Sequence, residues 1–110
     1  MIGTRNVSAV IANGGTTSGA IRIHPANSIA IQMPAAFTGT AVAFHGCATV
    51  GGTFAAIEDS DGTAISAAAA QGDRVTLTGS ELDAVLAWPY VKLVSNGAEG
   101  AERTIVVVIS

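Results

Sequence analysis

The sequence predicts an all-β fold, an antiparallel, jelly-roll-like β-sandwich of about eight strands with one short helix near residues 80–87. Apolar residues alternate with polar ones over short stretches, as they do in strands that bury one face. Turn signals rich in glycine, aspartate and asparagine separate these stretches about every 8–12 residues. The chain is 49% apolar over 110 residues, with 13 glycines and few aromatics. A closed barrel built from the same strands is the alternative architecture.

The strands follow one another along the chain, each defined by alternation and bounded by turn signals. Pro34 ends the third strand, because proline has no backbone N–H to donate to a sheet. The run Asp59-Ser60-Asp61-Gly62 predicts a hairpin turn, since aspartate and glycine tolerate the backbone angles that such turns need. The expected strands are residues 7–11, 21–23, 29–33, 42–46, 53–57, 63–66, 75–77, 90–94 and 104–109.

One segment departs from the strand pattern and predicts the helix. Ser80 is the expected N-cap, with acidic residues in the first turn. Leu82, Val85 and Leu86 then follow at helical spacing, and we expect the helix to close before Trp88. Because it is so short, this helix must be held by packing and not by its own propensity.

Three further stretches carry structural expectations. The alanine run at residues 67–70 is flanked by serine and glycine, so we expect an extended or turn conformation there. Residues 96–100, which join the last two strands, are expected to form a loose, exposed loop. The strand at 104–109 is apolar on both faces, which indicates a central strand buried on both sides or a strand that faces a partner.

Size and charge limit the classes of protein to which the chain can belong. We expect residues 1–12 to form an N-terminal arm and first strand, and residues 13–110 a single sandwich domain. The five cationic residues are scattered, which argues against nucleic-acid binding. No apolar run approaches the roughly 20 residues of a membrane helix, and we expect no secretory signal. The single Cys47 excludes an internal disulfide, as suits a protein made in a reducing cytoplasm.

Candidate chemistry is sparse, and we expect no enzyme activity, no metal and no cofactor. His45 and Cys47 could share a strand face, but two side chains are too few for a zinc site. The aspartates of the predicted hairpin lack the closing glutamate of a calcium loop. The remaining acids fall mostly in turns or on the helix, where solvated or capping roles explain them. Trp88 and Tyr90 either close the helix against the core or form a platform on which a sugar stacks.

The low charge content is the most informative feature of the composition. Five cationic and eight acidic residues make up 12% of the chain, against about a quarter in ordinary soluble domains. A monomer this small cannot hide all its apolar side chains in one core. We therefore expect part of the outer surface to be covered by other protein.

A set of turn and core segments carries a family resemblance. These segments are residues 33–40, Phe44, residues 51–54, the turn at 59–62, the helix region at 82–88, residues 91–95 and residues 103–105. Over about residues 13–110 the chain resembles small β-sandwich virion proteins of tailed bacteriophages. The resemblance implies a structural protein, made in the host bacterial cytoplasm, that decorates or cements the capsid exterior by binding between major capsid subunits. It also implies self-association and no catalytic residues.

An exposed sheet edge, near the first strand or at residues 105–109, would then be the adhesive. Residues 1–8 are expected to be an arm that orders on a neighbouring subunit. A tail or neck component is one alternative, and a carbohydrate-binding host-adsorption module that uses Trp88 and Tyr90 is another. The expected interface residues are Met1, Ile2, Arg5, Val7, Ile105 and Val107.

Overall fold

Short alternating stretches of sequence form short strands in this chain. A computed structural model describes residues 3–110, which contain nine strands and one helix. Glycine takes the positive φ that some turns between strands require, as at Gly62 and Gly72. The elements are β1 (Arg5–Ile11), β2 (Ile21–Arg22), β3 (Ile29–Gln32), β4 (Ala41–Cys47), β5 (Ala55–Ala56), β6 (Ser66–Ala68), β7 (Arg74–Thr76), α1 (Gly79–Leu86), β8 (Tyr90–Ser95) and β9 (Arg103–Ile109).

The strands form two antiparallel sheets that pack face to face. Sheet A has the order β1-β9-β3-β7, and sheet B has the order β2-β8-β4-β5, with β6 pairing with the same edge of β4 as β5. When β5 and β6 are counted as one interrupted strand, this is the strand order of a jelly roll. The predicted sandwich is therefore confirmed, and the sheets of the described residues do not close into a barrel.

The inward faces of the two sheets form the hydrophobic core. In β9, Ile105, Val107 and Ile109 are buried, whereas the residues between them are exposed or half-buried. Phe44 and Leu93 are the corresponding buried residues of sheet B. Two sheets packed in this way bury one face of each strand and leave the other face outside. The strand at 104–109 is thus central in its sheet but is not buried on both faces, which excludes the first of the two expected alternatives and leaves the second, a strand that faces a partner, as a prediction.

Most predicted strands form within a few residues of their expected ends. β4 is slightly longer than expected, because it continues to Cys47. The Asp59–Gly62 segment forms the expected turn, and the carboxylate oxygen of Asp59 accepts hydrogen bonds from the backbone N–H groups of Asp61 at 2.9 Å and Thr63 at 3.0 Å. The alanine run is extended as expected, since it lies partly in β6.

Helix α1 covers the end of the sandwich at which β7 ends and β8 begins, here called the helix end. Val85 is fully buried, and Leu82 and Leu86 pack against the core. The expected N-cap at Ser80 is wrong, because the extended Thr78 precedes the helix and Gly79 is its first residue. The helix has eight residues, and no helix within residues 3–110 is long and apolar enough to cross a membrane.

The opposite end of the sandwich, at which β8 ends and β9 begins, is here called the glutamate end. Residues 96–100 lie there, and they are neither loose nor wholly exposed, because Glu99 is 1% exposed. The backbone of Glu99 exchanges hydrogen bonds with the loop after β1, through Gly14 at 2.7 Å and Gly15 at 2.9 Å. The sequence-based expectation of a loose loop is therefore wrong.

Candidate interaction surface

The outer face of sheet A spans four strands and carries few charges. Outward residues were identified from the alternation of burial along each strand and from the register between strands. They are Asn6, Ser8 and Val10 from β1, Thr104, Val106 and Val108 from β9, Ala30 and Gln32 from β3, and Arg74 and Thr76 from β7. The term "outer face of sheet A" denotes these residues below.

Arg74 is the single charged residue of the outer face of sheet A, and it lies on the edge strand β7. At the centre of the face, Val106 lies in register between Ser8 on one side and Gln32 on the other. Val10, on the edge strand of the face, is 38% exposed. The face therefore offers uncharged polar and branched apolar side chains to whatever covers it.

The outer face of sheet B has a different character. Lys92 and His45 lie opposite each other on β8 and β4, and both project outward. The chain before β5 folds over this face, so that the Phe54 ring lies 4.7 Å from the Lys92 Nζ. A cation over an aromatic face is a favourable contact. This face is thus partly covered by the chain itself, unlike the outer face of sheet A.

The structure assigns Arg5, one of the expected interface residues, to a contact within the chain. Its guanidinium donates hydrogen bonds to the carbonyl oxygens of Pro25 at 2.8 Å, Arg22 at 3.3 Å and Ile23 at 2.7 Å. These bonds join β1 at the edge of sheet A to the chain around β2 at the edge of sheet B. Arg5 therefore ties the two sheets together and is not a free interface cation.

Three other expected interface residues, Val7, Ile105 and Val107, lie on the inward side of sheet A. Ile105 and Val107 are at most 1% exposed and project into the core, so their side chains cannot contact a partner. Val7 is half-buried on the same inward side of β1. Because side chains alternate along a strand, the outward residues of β9 are the neighbours of the expected ones. Met1 and Ile2 lie outside the described residues.

The expected arm is also partly corrected. Residues 5–8 belong to β1, which pairs with β9 of the same chain along its whole length. These residues therefore form part of the sandwich and are not a free segment that waits for a neighbour. The division of the chain between residues 12 and 13 stays a prediction.

Trp88 and Tyr90 do not form a joint platform. Tyr90 projects from the outer face of sheet B, opposite Cys47. Trp88 lies instead against the inward side of Gly46, where an added Cβ would be 2.9 Å from the Trp88 Cγ. The sheet thus separates the two rings, although Trp88 is 39% exposed.

A shallow hollow of about 280 Å³ lies beside the Trp88 ring. Its lining includes Ile57 and Glu58, and the rest is mainly alanine and glycine backbone. A sugar-binding site normally offers several polar groups that fix the orientation of the ligand. This hollow offers one carboxylate and one half-exposed indole.

Among the remaining polar side chains, His24 and Asp59 have structural partners. His45 and Cys47 share the outer face of β4 as expected, but within residues 3–110 no group of three potential metal ligands occurs. The Nε2 atom of His24 lies 2.7 Å from the carbonyl oxygen of Leu86, at the C-terminus of α1. The Asp59 carboxylate accepts hydrogen bonds from the backbone of its own turn, as described above.

The sequence-based reasoning missed the most heavily bonded polar side chain among residues 3–110. The Glu99 carboxylate accepts hydrogen bonds from the backbone N–H groups of Thr38 at 2.8 Å and Gly39 at 3.2 Å. It also accepts from the Ser95 Oγ at 3.0 Å and from the Arg103 Nε at 3.0 Å, the latter an ion pair. These donors come from three separate parts of the chain. Glu99 therefore acts as a clamp for the glutamate end.

The hydrogen bonds outweigh burial in setting the pKa of Glu99. Burial raises the pKa of this carboxyl, but the bonds from Thr38, Arg103, Ser95 and Gly39 lower it, and the net pKa lies below the usual glutamate value. A carboxylate has about four acceptor positions, and four donors occupy them here. The group has no free position from which to accept a proton from a substrate, so its role is structural.

Gly39 makes the clamp possible because it lets the chain approach Glu99 closely. A Cβ at this position would lie 2.4 Å from the Ser95 Oγ and 2.7 Å from the Asn96 Oδ1. Asn96 adds a second tie, since its Oδ1 accepts the backbone N–H of Thr40 at 2.8 Å. The only signal in the sequence was the spacing of Glu99 and Arg103, four residues apart, and that spacing does not indicate burial.

Of the surfaces described, the outer face of sheet A combines breadth, low charge and exposure. Comparisons of the chain with models of protein families, with curated proteins and with solved structures found no match.

Proposed function

We propose that the chain is a structural virion protein that decorates or cements the capsid of a tailed bacteriophage by binding between major capsid subunits. The outer face of sheet A is the surface that contacts the shell in this proposal. The observation that carries it is the near absence of charge on that face, where Arg74 is the single charged residue.

The chemistry of the face favours a protein partner over solvent or nucleic acid. Nucleic-acid binding needs clustered cations, whereas the centre of this face consists of Val106, Val108 and uncharged polar residues. Protein interfaces have cores depleted in charged residues. The face is built on four hydrogen-bonded strands, so its backbone loses little conformational entropy when a shell subunit covers it.

The fold is compatible with this proposal but does not name the function. Jelly rolls occur in viral capsid proteins and also in lectins, so the topology supports the assignment only by analogy. The resemblance of residues 13–110 to small virion proteins of tailed phages supplies the capsid setting. A protein that binds only the assembled shell stabilises that shell by mass action.

The test uses purified full-length chain and shells of the encoding phage prepared without it. We expect the chain to sediment with the shells and to raise their rupture temperature on heating. A lysine in place of Val106 would bury an unpaired charge at the contact and should weaken binding at least about tenfold. Val94, half-buried on the outer face of sheet B, gives the matched control, and Val94→Lys should bind as the wild type does.

Two outcomes would overturn the capsid assignment. One is that the wild-type chain neither sediments with the shells nor changes their rupture temperature. The other is that an antibody against the chain labels the tail or neck of negatively stained virions and leaves the capsid unlabelled. Equal loss of binding in Val106→Lys and Val94→Lys would show that the outer face of sheet A is not the contact.

A further inference from the structure

The edge of sheet A at β1 has open backbone hydrogen-bonding groups. β1 is a seven-residue edge strand that pairs with β9 on one side, in a continuous register without a bulge. In an antiparallel sheet the backbone N–H and C=O of one residue point to the same neighbour, and successive residues alternate. One side of β1 therefore faces β9, and the other side faces away from the sheet.

The hydrogen bonds identify which residues of β1 face away. The Val10 carbonyl accepts the backbone N–H of Gly19 at 3.3 Å, so Val10 points away from β9. By alternation, Ser8 and Asn6 point the same way. Within the described residues no loop hydrogen bond reaches the backbone of either residue. Their N–H and C=O groups form an open edge.

The usual protections of an edge strand are missing from Asn6 to Ser8, whereas the segment at residues 17–19 covers the edge at Val10 and Ile11. Natural edge strands are commonly guarded by lysine, proline or a bulge. Residues 6–11 of β1 contain none of these and carry no charge. The neighbouring edge of sheet B differs, because the Arg5 guanidinium covers the outward carbonyl of Arg22. On this side of the sandwich, β1 is the exposed edge.

The β7 edge, on the opposite side of the sandwich, is less suited to pairing. β6 and β7 are each three residues long, as is the open part of β1 from Asn6 to Ser8, so charge and not length separates the β7 edge from the β1 edge. β7 carries Arg74, which is exposed and charged. Two copies of such an edge would bring like charges together, which is unfavourable.

We propose that the chain forms a two-fold dimer in which β1 of one copy pairs antiparallel with β1 of a second copy. The two-fold axis passes beside Val7, so that Asn6 of each copy pairs with Ser8 of the other copy. A second copy presents the same uncharged open edge, and a two-fold contact satisfies both edges at once. The register stops short of Val10, whose carbonyl is already bonded to Gly19.

The dimer would join the two outer faces of sheet A into one continuous surface. Asn6, Ser8 and Val10 lie on that face, so the seam between the copies runs through it. The dimer contact uses the β1 edge, whereas the shell contact uses the outer face of sheet A. Either proposal can therefore fail while the other holds.

The mass of the full chain in solution gives the first test, by light scattering after size-exclusion chromatography or by analytical ultracentrifugation. We expect a dimer for the wild type. Ser8→Pro removes an outward N–H without touching the ladder to β9, and it should raise the dimer Kd at least about tenfold. Thr76→Pro is the matched control on the β7 edge and should leave the dimer Kd unchanged.

A wild type that stays monomeric at millimolar concentration, or a Ser8→Pro dimer of undiminished affinity, would overturn the proposal. Circular dichroism establishes that the proline variants are folded. If Ser8→Pro is unfolded, Ser8→Lys replaces it, since a charge at each side of the seam should likewise dissociate the dimer.

Cysteine cross-linking tests the register, in a Cys47→Ser background. Paired residues of an antiparallel sheet have Cα atoms about 5.5 Å apart, within the range of a disulfide. A mixture of Asn6→Cys and Ser8→Cys chains should therefore cross-link on mild oxidation. Either variant alone should not, because its two cysteines would be diagonal and about 7–8 Å apart. Cross-linking of Asn6→Cys with itself would contradict the Val7-centred pairing.

Discussion

The two ends of the sandwich are closed by opposite kinds of interaction. At the helix end, α1 covers the core with Val85, which is fully buried, together with half-buried apolar neighbours. At the glutamate end, no helix is present in the described residues, and Glu99 holds three parts of the chain through its carboxylate. The same jelly roll is thus sealed by apolar packing at one end and by a buried charge at the other.

The difference shows that a short chain can close the two ends of a sandwich with few residues. Apolar closure is non-directional and tolerates small changes in position, because it depends on area removed from water. Polar closure is directional, and a single missing acceptor leaves several donors unpaired. The glutamate end should therefore be the more sensitive of the two to a single substitution and the more sensitive to pH.

The largest effect is expected from Glu99→Ala, which removes the acceptor at the glutamate end. The N–H groups of Thr38 and Gly39 and the guanidinium of Arg103 would lose their partner. We expect the free energy of unfolding to fall by about 4 kcal/mol, as when one member of a buried ion pair is removed. Equilibrium unfolding in urea measures this change in the free energy of unfolding.

The control for this variant is Glu102→Ala, which removes an exposed glutamate from the same connection. It should change stability by no more than about 0.5 kcal/mol. If Glu99→Ala destabilised the chain by less than about 1 kcal/mol, the clamp would not close this end.

A smaller effect is expected at the helix end from Val85→Ala. The change removes two buried methyl groups beside the core and leaves a cavity, which should cost about 2 kcal/mol. The exposed Asp83 on the same helix supplies the control, and Asp83→Ala should be nearly neutral. The comparison of the two ends fails if Val85→Ala proves as costly as Glu99→Ala in the same urea experiment.

The smallest effect is a difference in the response of the two ends to acid. Because the pKa of Glu99 is lowered in the folded state, its ionisation stabilises the fold above the ordinary glutamate pKa of about 4.3. That contribution should be lost as the pH falls from there through the lowered pKa of the folded state. The difference in unfolding free energy between wild type and Glu99→Gln should therefore shrink over this range. Val85→Ala should differ from wild type by the same amount throughout, and a constant Glu99→Gln difference would contradict the assignment.

Sequence patterns predicted the sheets well because strands with one buried face leave a period of two in the sequence. Ile29 and Ile31 illustrate this, since both were expected on one face of a strand and both are buried in β3. The helix was also detectable from the spacing of Leu82, Val85 and Leu86, although its first residue was misplaced. Its start lies at Thr78 and Gly79. Thr78 is followed three residues later by Glu81, the spacing of a capping box, which the prediction overlooked in favour of Ser80.

The glutamate end could not be predicted from the sequence by the same means. Burial of Glu99 depends on donors from residues 38–39, which are about 60 positions away along the chain. These donors are backbone N–H groups, so no side-chain pattern marks them. The interface residues of β9 were also misassigned. Ile105 and Val107 were expected at an interface but are buried in the core. Low charge alone does not show which side of an apolar strand faces outward.

The hairpin tip at Ser60 and Asp61 makes the molecule suited to carrying a grafted peptide. Both residues are exposed, and the turn is held by bonds among Asp59, Asp61, Gly62 and Thr63 alone. The tip projects beyond the β5 and β6 edge, across the sandwich from β1. An insert placed between Ser60 and Asp61 would be displayed away from the strand edge at which a second copy would dock.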